Sequence, residues 1–363
     1  MRILFVHTIG KKKYGGGERW VVHAAGQLRQ RGYTTFVAGK RDSILLNQSA
    51  KMGAITVPVN IISDISPYHV WKLARLIRKL QIDVVISKRH DLAVAGAAAR
   101  ISTKPAVIVR SSSPPRSSLK KHLFLISRLA DGLITNTTTI RDIYKSQGLP
   151  DDGFMQVIYN GLPVYDDVQG YNFQDAYPGR TVILCVGRLV AAKGYFYLID
   201  ALERLSEKRS DILVYVLGEG KDKHKLQEYA RRKGVEDMIL FAGYRDQPVP
   251  WIKGCDLFLH PSLYEGMPNA PMEAMAYGKP VIMTKVNGAD ELSRNGRLAK
   301  LIPPADADAI VKAIEETINN PQSSRAMADN ARQHVRSFFS MDAMVNNLEA
   351  FIIDRQQTKN RRQ

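Results

Sequence analysis

Glu265 and Glu273 enclose the stretch E-G-M-P-N-A-P-M-E, between an apolar run, L-F-L-H-P-S, and a helix-forming run, A-P-M-E-A-M-A-Y, that closes at Gly278. Pro261 stops the apolar strand and Asn269 is a good N-cap, so the spacing predicts a strand, a loop and a helix start. Glu273 then falls in the first helical turn and Glu265 in the loop before it. Backbone N–H groups of a loop and a helix N-terminus suit a diphosphate. Carboxylates beside such a site repel phosphate but accept hydrogen bonds from hydroxyls, which a nucleotide sugar carries on its ribose and its hexose. The competing reading is structural: an acid at a helix start complements the helix dipole by a few tenths to ~1 kcal/mol.

A second stretch, V-G-R-L-V-A-A-K-G at residues 186–194, ends a strand-like run at Gly187 and puts Arg188 and Lys193 on the following loop. Two cations at a strand's carboxyl end could neutralise a diphosphate leaving group, Arg as a fork of donors and Lys as a point charge. Taken alone they are solvated surface cations; taken with the two glutamates they favour sugar-phosphate chemistry.

Such groups need a scaffold that delivers them to one edge. Short β-branched runs such as R-I-L-F-V-H-T, T-T-F-V-A-G and D-V-V-I-S alternate with amphipathic segments from about Glu18 onward, a βαβ pattern that implies a parallel sheet covered on both faces. Leu162 to Arg180 is rich in turn formers and lacks either periodicity, after which the pattern restarts with T-V-I-L-C-V-G. The expectation is an α/β protein with two doubly wound domains, residues 1–163 and 181–340, joined by a linker at 164–180. A final helical segment, 341–363, is expected to pack back on the first domain. In such sheets ligands bind at the strands' carboxyl ends, and a cleft between the domains is the natural site.

Composition narrows the classes. The 363 residues include two cysteines, Cys185 and Cys255, both in or beside apolar runs, so a disulfide framework or a structural zinc site is not expected. The N-terminal apolar stretch is too short for a secretion signal and no run of eighteen apolar residues occurs, so a cytoplasmic location is expected. Residues 1–170 hold 25 Lys and Arg against 11 Asp and Glu, whereas the rest hold 27 against 24. That asymmetry points the first half at something anionic: a lipid surface, a phosphorylated acceptor or nucleic acid.

The ordered set G-R-L-x-x-x-K-G, L-G-E-G (217–220), F-A-G-Y (241–244) and H-P-S-x-x-E-G-M-P-N-x-x-x-E-A-M-A-x-G-K-P-V-I resembles the retaining GT-B glycosyltransferases of glycosyltransferase family 4. The G-G-G-E-R at 15–19 and V-I-Y-N-G at 157–161 agree with it. The likeness spans the chain and is strongest from about 181 to 292. It implies the GT-B fold, two Rossmann-like domains, and transfer of a sugar from a nucleotide diphosphate sugar. By this resemblance Arg188 and Lys193 hold the donor diphosphate, Glu265 approaches the transferred sugar, and Glu273 binds the ribose. The backbone of Gly266, Met267, Pro268, Asn269 and Ala270 lies near the sugar. Gly187, the turn Gly218, Glu219 and Gly220, and the segment carrying Gly243 and Tyr244 line the base and phosphate pocket. Gly16 and Gly17 let the first-domain loop come close to donor and acceptor. The resemblance also implies no metal and no other cofactor, the two cations replacing Mg²⁺, and the sequence places no D-x-D motif at a strand end. Retention is pictured as front-face attack, with a covalent route through Glu265 as the competing mechanism.

His7, after the first strand, and His90, in I-S-K-R-H-D, are candidates to touch the sugar or an acceptor hydroxyl; each could equally be a locally satisfied polar group. Relatives carry a His after the next strand, where this sequence reads V-I-V-R-S-S-S-P-P-R. Arg110 stands there instead, a departure that suggests a charged or phosphorylated glycan acceptor. His260 is expected to order its loop. Lys72, Arg75 and Lys79 recur at helical spacing in one segment, and Lys120, Lys121 and Arg128 in another. These fit peripheral contact with the inner face of the cytoplasmic membrane, or plain solvated helix faces over a core. The expected acceptors are lipid-linked sugars or lipopolysaccharide core. A GT-B epimerase or phosphorylase is the nearer alternative. A nucleic-acid binder is the more distant one, disfavoured because the basic segments are rich in Leu and Ile rather than interleaved with aromatics.

Overall fold

The computed structural model describes all residues except 9, 12–13, 62–65, 114–118 and 363. The P-P-R that closes the segment after Arg110 therefore lies outside the described residues. The chain divides into two compact units, Met1–Gly161 with Met341–Gln363, and Leu162–Ser340.

The first unit carries seven strands: β1 Arg2–Val6, β2 Thr34–Gly39, β3 Ile55–Pro58, β4 Val84–Lys88, β5 Ala106–Ser111, β6 Gly132–Thr135 and β7 Met155–Val157. They pair in parallel in the order β3-β2-β1-β4-β5-β6-β7. Its helices are α1 Gly16–Gln30, α2 Ile44–Lys51, α3 Pro67–Leu80, α4 Leu92–Arg100, α5 Leu119–Leu129 and α6 Thr138–Ser146. Ile3, Phe5, Val84, Ile86, Ala106 and Ile108 point to one face, where α1 supplies Trp20, Val21 and Leu28. Leu4, Val6 and Val85 point to the other, against Leu73 and Ile77 of α3 and Ala95 of α4. Because both faces are buried, these strands read as continuous apolar runs rather than as an alternation.

The second unit opens with a one-turn helix, α7 Phe173–Ala176, and holds six strands: β8 Thr181–Val186, β9 Ile212–Leu217, β10 Ile239–Phe241, β11 Leu257–His260, β12 Val281–Thr284 and β13 Lys300–Ile302. Their order, β10-β9-β8-β11-β12-β13, is again parallel throughout. Helices α8 Tyr195–Ser206, α9 Lys223–Arg232, α10 Val249–Gly254, α11 Asn269–Ala276, α12 Ala289–Ser293, α13 Ala307–Asn319 and α14 Pro321–Phe338 complete it. Each unit is thus a doubly wound α/β sheet whose strand order reverses once, between β1 and β4 and between β8 and β11.

The stretch expected as a free linker is built into the second unit. Phe173 is buried against Tyr215, Tyr171 stacks on Trp251, and Lys253 donates to the carbonyls of Asp166 and Val168. These contacts join residues far apart in sequence, which is why local composition missed them. The last helix, α15 Met341–Asn360, belongs to the first unit. It buries Met344, Val345, Leu348, Phe351 and Ile352 in the same core as α1, and Gly132 leaves room on β6 for Phe351 and Arg355.

Leu348→Ala should destabilise the first unit by about 2–5 kcal/mol, the range for a buried Leu cut to Ala. Hydrogen exchange resolved to peptides should show faster opening at β1 and β4 and unchanged protection at β8. Equal protection in both units would mean α15 does not hold the first core together.

Candidate active site

In the second unit the loops leaving β8 and β11 meet at the point where the strand order reverses. Leu263 N–H donates to the carbonyl of Ala192 at 2.9 Å, tying one loop to the other. The glycines are required by backbone packing. A Cβ on Gly194, which has φ +69°, would overlap the carbonyl oxygen of Pro261; one on Gly218 would overlap that of Gly187, and one on Gly220 that of Leu189. Three loops therefore lie backbone on backbone at the strands' carboxyl ends, with no room for a methyl group.

Glu265 sits on this platform. Its Oε1 accepts from Lys193 Nζ, from His260 Nε2 at 2.8 Å and from Ser262 Oγ at 2.9 Å. Burial pushes the carboxyl up, but donation from His260 and the charge of Lys193 outweigh it and hold the group down to about 2. Burial lowers the pKa of His260, so at neutral pH the ring is neutral and gives its Nε2–H to Glu265. His260, Ser262 and Tyr195 were not named as site residues. The hydroxyl of Tyr195 lies under the loop, 3.4 Å from the carbonyl of Gly187. A signal for the first two was present: they stand five and three residues before Glu265, within reach of a side chain folding back along its loop.

The other expected donor residues fall around the same edge. Arg188 is exposed on the loop after β8. Glu219 pairs with Lys223 at 2.8 Å, Gly243 takes φ +79° beside it, and Tyr244 is exposed with its hydroxyl 3.1 Å from Asp246 Oδ1. Two local expectations at α11 need correction. The cap position is Pro268, and Asn269 is the first helical residue, so Glu273 lies one residue past the first turn, which holds no acid. Pro268 takes the extended conformation that a cap requires, and Pro271 falls in the first turn, where a missing N–H costs nothing. The one D-x-D triplet, Asp306-Ala307-Asp308, begins four residues past β13. It is structural: Asp306 caps α13 at Ala309 N–H, 2.9 Å away, and Asp308 pairs with Arg204.

The first unit carries a second polar cluster, again where its strand order reverses. His7 continues the row of Ile3 and Phe5, and its Nε2 lies 2.7 Å from Glu18 Oε1. Glu18 also receives Lys88 Nζ at 3.4 Å on Oε1 and the N–H of Gly15 at 2.8 Å on Oε2. Burial raises its carboxyl, but His7 and Lys88 pull it far below the usual range. Asp91 accepts from the hydroxyl and the N–H of Thr8 and lies 3.2 Å from Nε2 of the exposed His90. Arg110 is only 3% exposed, stacked on Trp20 with its Cζ 4.2 Å from the ring centre, and donates to Asn160 Oδ1 at 2.8 Å. Gly16 and Gly17 open α1, and a Cβ on Gly17 would meet Lys88 Nζ, so this glycine makes space for a lysine. Glu18, Lys88, Asp91 and Trp20 were not anticipated: only the parallel register places positions 7, 88 and 110 side by side.

Among the described residues one group could offer three ligand atoms to a metal: His7, His90 and Asp91, whose ligating atoms lie within 4.8 Å of one another. Asp91 is already bonded to Thr8, and Lys88 places a positive charge beside His7. Both facts count against a second cation there.

Fold and motif agree with known proteins. The description Glycosyltransferase Family 4 matches residues 14–164, and Glycosyl transferases group 1 matches residues 172–334. Similar solved structures include the Anabaena protein Alr3699/HepE in complex with UDP, with a TM-score of 0.85 at 22% identity, covering 98% of this chain and 100% of that one. Similar sequences include the lipopolysaccharide core biosynthesis glycosyltransferase LpsE of Rhizobium meliloti, 28% identical over 165 residues, 46% of this chain and 47% of that protein. The lipopolysaccharide core biosynthesis mannosyltransferase LpcC of Rhizobium leguminosarum bv. viciae is 29% identical over 170 residues, 46% of this chain and 48% of that one. The chain thus spans about half the length of these two relatives. It has the GT-B fold, and it belongs to the family 4 glycosyltransferases.

The Glu265 environment predicts a pH signature. Its carboxyl titrates near 2 when folded against an ordinary value of 4.5, so the stabilisation it brings is complete above about pH 4.5 and is lost as pH falls toward 2. Glu265→Gln should flatten the pH dependence of the unfolding free energy across that window. A slope identical to that of the unmodified protein would show that the carboxylate is not held by Lys193 and His260.

Proposed function

We propose that the protein transfers a sugar from a nucleotide diphosphate sugar to a hydroxyl of a surface-glycan acceptor, with retention of configuration and without a metal. The observation that carries this reading is Glu265: a partly buried carboxylate kept ionised by His260 and Lys193 on a glycine-packed edge of the second unit. In the proposed role Arg188 and Lys193 receive the diphosphate and stabilise the charge that grows on it as the C1–O bond to phosphate breaks. Glu265 then faces the positive charge developing on the sugar, and Glu273 and the residues from Gly266 to Ala270 receive ribose and hexose hydroxyls. In front-face attack the acceptor oxygen bonds to C1 while its proton passes to the departing phosphate oxygen. Two features support this over a covalent route: a carboxylate that titrates near 2 is a weak nucleophile, and its Oε1 already accepts three hydrogen bonds.

The first unit is proposed to serve the acceptor and to touch an anionic membrane. Helix α3 packs on α4 and α4 on α5, and this side exposes Tyr68 (61%), Trp71 (56%) and Phe124 (60%). Cations accompany them: Lys72 lies over Tyr68, Arg75 over Trp71 and Arg128 over Phe124. The aromatics correct the view that these segments are only Leu and Ile rich, because the apolar residues Leu73 and Ile77 turn inward and leave the rings outside. Basic residues with exposed Trp and Tyr suit a headgroup layer. Lipid-linked or lipopolysaccharide-core acceptors fit such a location and the names of the Rhizobium relatives.

A thermal-shift screen against UDP, GDP, ADP and CMP without added metal should give one selective nucleoside diphosphate, with ~2.7 kcal/mol of stabilisation at 100 times its Kd. Glu265→Ala should abolish transfer, and turnover at the unmodified rate would sink the assignment. Trp71→Ala and Phe124→Ala should each weaken sedimentation with phosphatidylglycerol vesicles, and Lys72→Ala should weaken it by about 1 kcal/mol. Loss of RNA binding with vesicle binding unchanged would assign that face to nucleic acid instead.

A further inference from the structure

We propose that Arg110 and Lys88 form an oxyanion subsite in the first unit that takes a carboxylate or phosphate carried on a sugar; the inference rests on the transferase reading above. The inference stands on a set of buried polar atoms that nothing among the described residues satisfies. Arg110 Nε and Nη1, His7 Nδ1 and Trp20 Nε1 are all buried without a hydrogen-bond partner. Arg110 therefore leaves three of its five N–H groups unused, and among the described residues no carboxylate lies within ion-pair distance of it. Its acidic neighbour Glu18 is committed, with Oε1 taken by His7 and Lys88 and Oε2 by Gly15. A buried cation with idle donors is costly unless a ligand completes it.

The placement is that of a ligand site. In the parallel register Lys88 of β4 is paired with Arg110 of β5, and both continue the rows Val84-Ile86 and Ala106-Ile108 that face α1. His7 lies one residue past β1 on the same face, so three adjacent strands each end in a polar side chain at their carboxyl edge. Helix α1 starts above them, with Gly17 making room for Lys88 and Trp20 covering the guanidinium. The Lys88 side chain keeps 16% exposure, which opens the row to solvent.

The donor and acceptor pattern narrows the ligand. Burial lowers the pKa of His7, and its Nε2–H donates to Glu18, so Nδ1 carries a free lone pair and accepts from a hydroxyl. Two cations with unused donors, beside one such acceptor, match a group that is anionic at one end and hydroxylated at the other. A sugar acid or a sugar phosphate meets that description, and a neutral sugar leaves the cations unanswered.

The test uses the full-length protein and four probes, glucuronate, glucose 6-phosphate, glucose and inorganic phosphate, with affinities from ligand-observed NMR titration. Glucuronate or glucose 6-phosphate should bind at least tenfold more tightly than glucose, and whichever does so identifies the anion as carboxylate or phosphate. Arg110→Gln should bring that preference within twofold, and Arg110→Lys should recover part of it. Lys88→Gln gives the same reading independently should the Arg110 variants fail to fold. Equal binding of glucuronate, glucose 6-phosphate and glucose overturns the proposal, as does a preference that survives both Gln substitutions. Inorganic phosphate binding as tightly as glucose 6-phosphate overturns the assignment to a sugar-borne group. Binding of a nucleoside diphosphate, measured in parallel, separates the two claims: its loss sinks the transferase reading, whereas its retention without anion preference sinks only this subsite.

Discussion

A parallel strand buried on both faces is a poor place for a charge until its end is near, and the two polar clusters follow that constraint. β1, β4, β5, β8 and β11 are apolar over most of their buried lengths, with Ser87 the exception within β4, and the chemistry gathers near their carboxyl ends, at His7, Lys88, Arg110, Gly187 and His260. Desolvation of a lone charge inside such a sheet would exceed what one hydrogen bond returns. At the carboxyl edge the loops diverge where the strand order reverses, and a helix N-terminus can turn toward the opening. The same rule places Glu18 with His7 in one unit and Glu265 with His260 in the other, each pair a carboxylate against a buried imidazole.

The two edges are built by opposite means. In the second unit the loops touch through backbone, so glycine at 194, 218 and 220 is a steric necessity, and the side chains of Arg188, Lys193 and Glu265 project from those loops. In the first unit the contact is made by side chains, Lys88 entering the space that Gly17 leaves and Arg110 lying on Trp20. A backbone-packed edge tolerates little variation in sequence. A side-chain-packed edge can change its polarity by substitution without moving a strand, which suits the acceptor role proposed for the first unit.

Much of this was legible in the sequence, for physical reasons that also mark where legibility stops. Strands such as T-V-I-L-C-V show themselves because double burial demands an unbroken apolar run, and the α/β alternation follows from their spacing. Arg188, Lys193 and Glu265 stood out as candidates because glycine and proline mark the loops that hold them and the family resemblance assigns them roles. The start of α11 was misplaced by one residue: Asn269 has the side chain of a cap, yet Pro268 has the extended backbone that a cap requires. Residues 164–180 passed for a linker because Phe173 and Tyr171 find Tyr215 and Trp251 only in three dimensions. The cluster of His7, Glu18, Lys88 and Arg110 was beyond local reading for the same reason. Strand register joins these positions, and no periodicity within one segment reports it.

The Glu265 site also bears on how a metal-free transferase would work. Lys193 cannot fully neutralise Glu265 and a diphosphate at once, because a point charge shared between two anions attracts each less strongly. In the proposed mechanism, negative charge growing on a departing diphosphate would draw Lys193 toward it, and the carboxylate it releases would be more able to stabilise positive charge on the sugar. His260 and Ser262 bond the same Oε1 independently of Lys193, so in that mechanism they would hold Glu265 in place while its cation shifts. The Lys193–Glu265 ion pair is in this view a stored arrangement of charge, released in step with the bond that breaks.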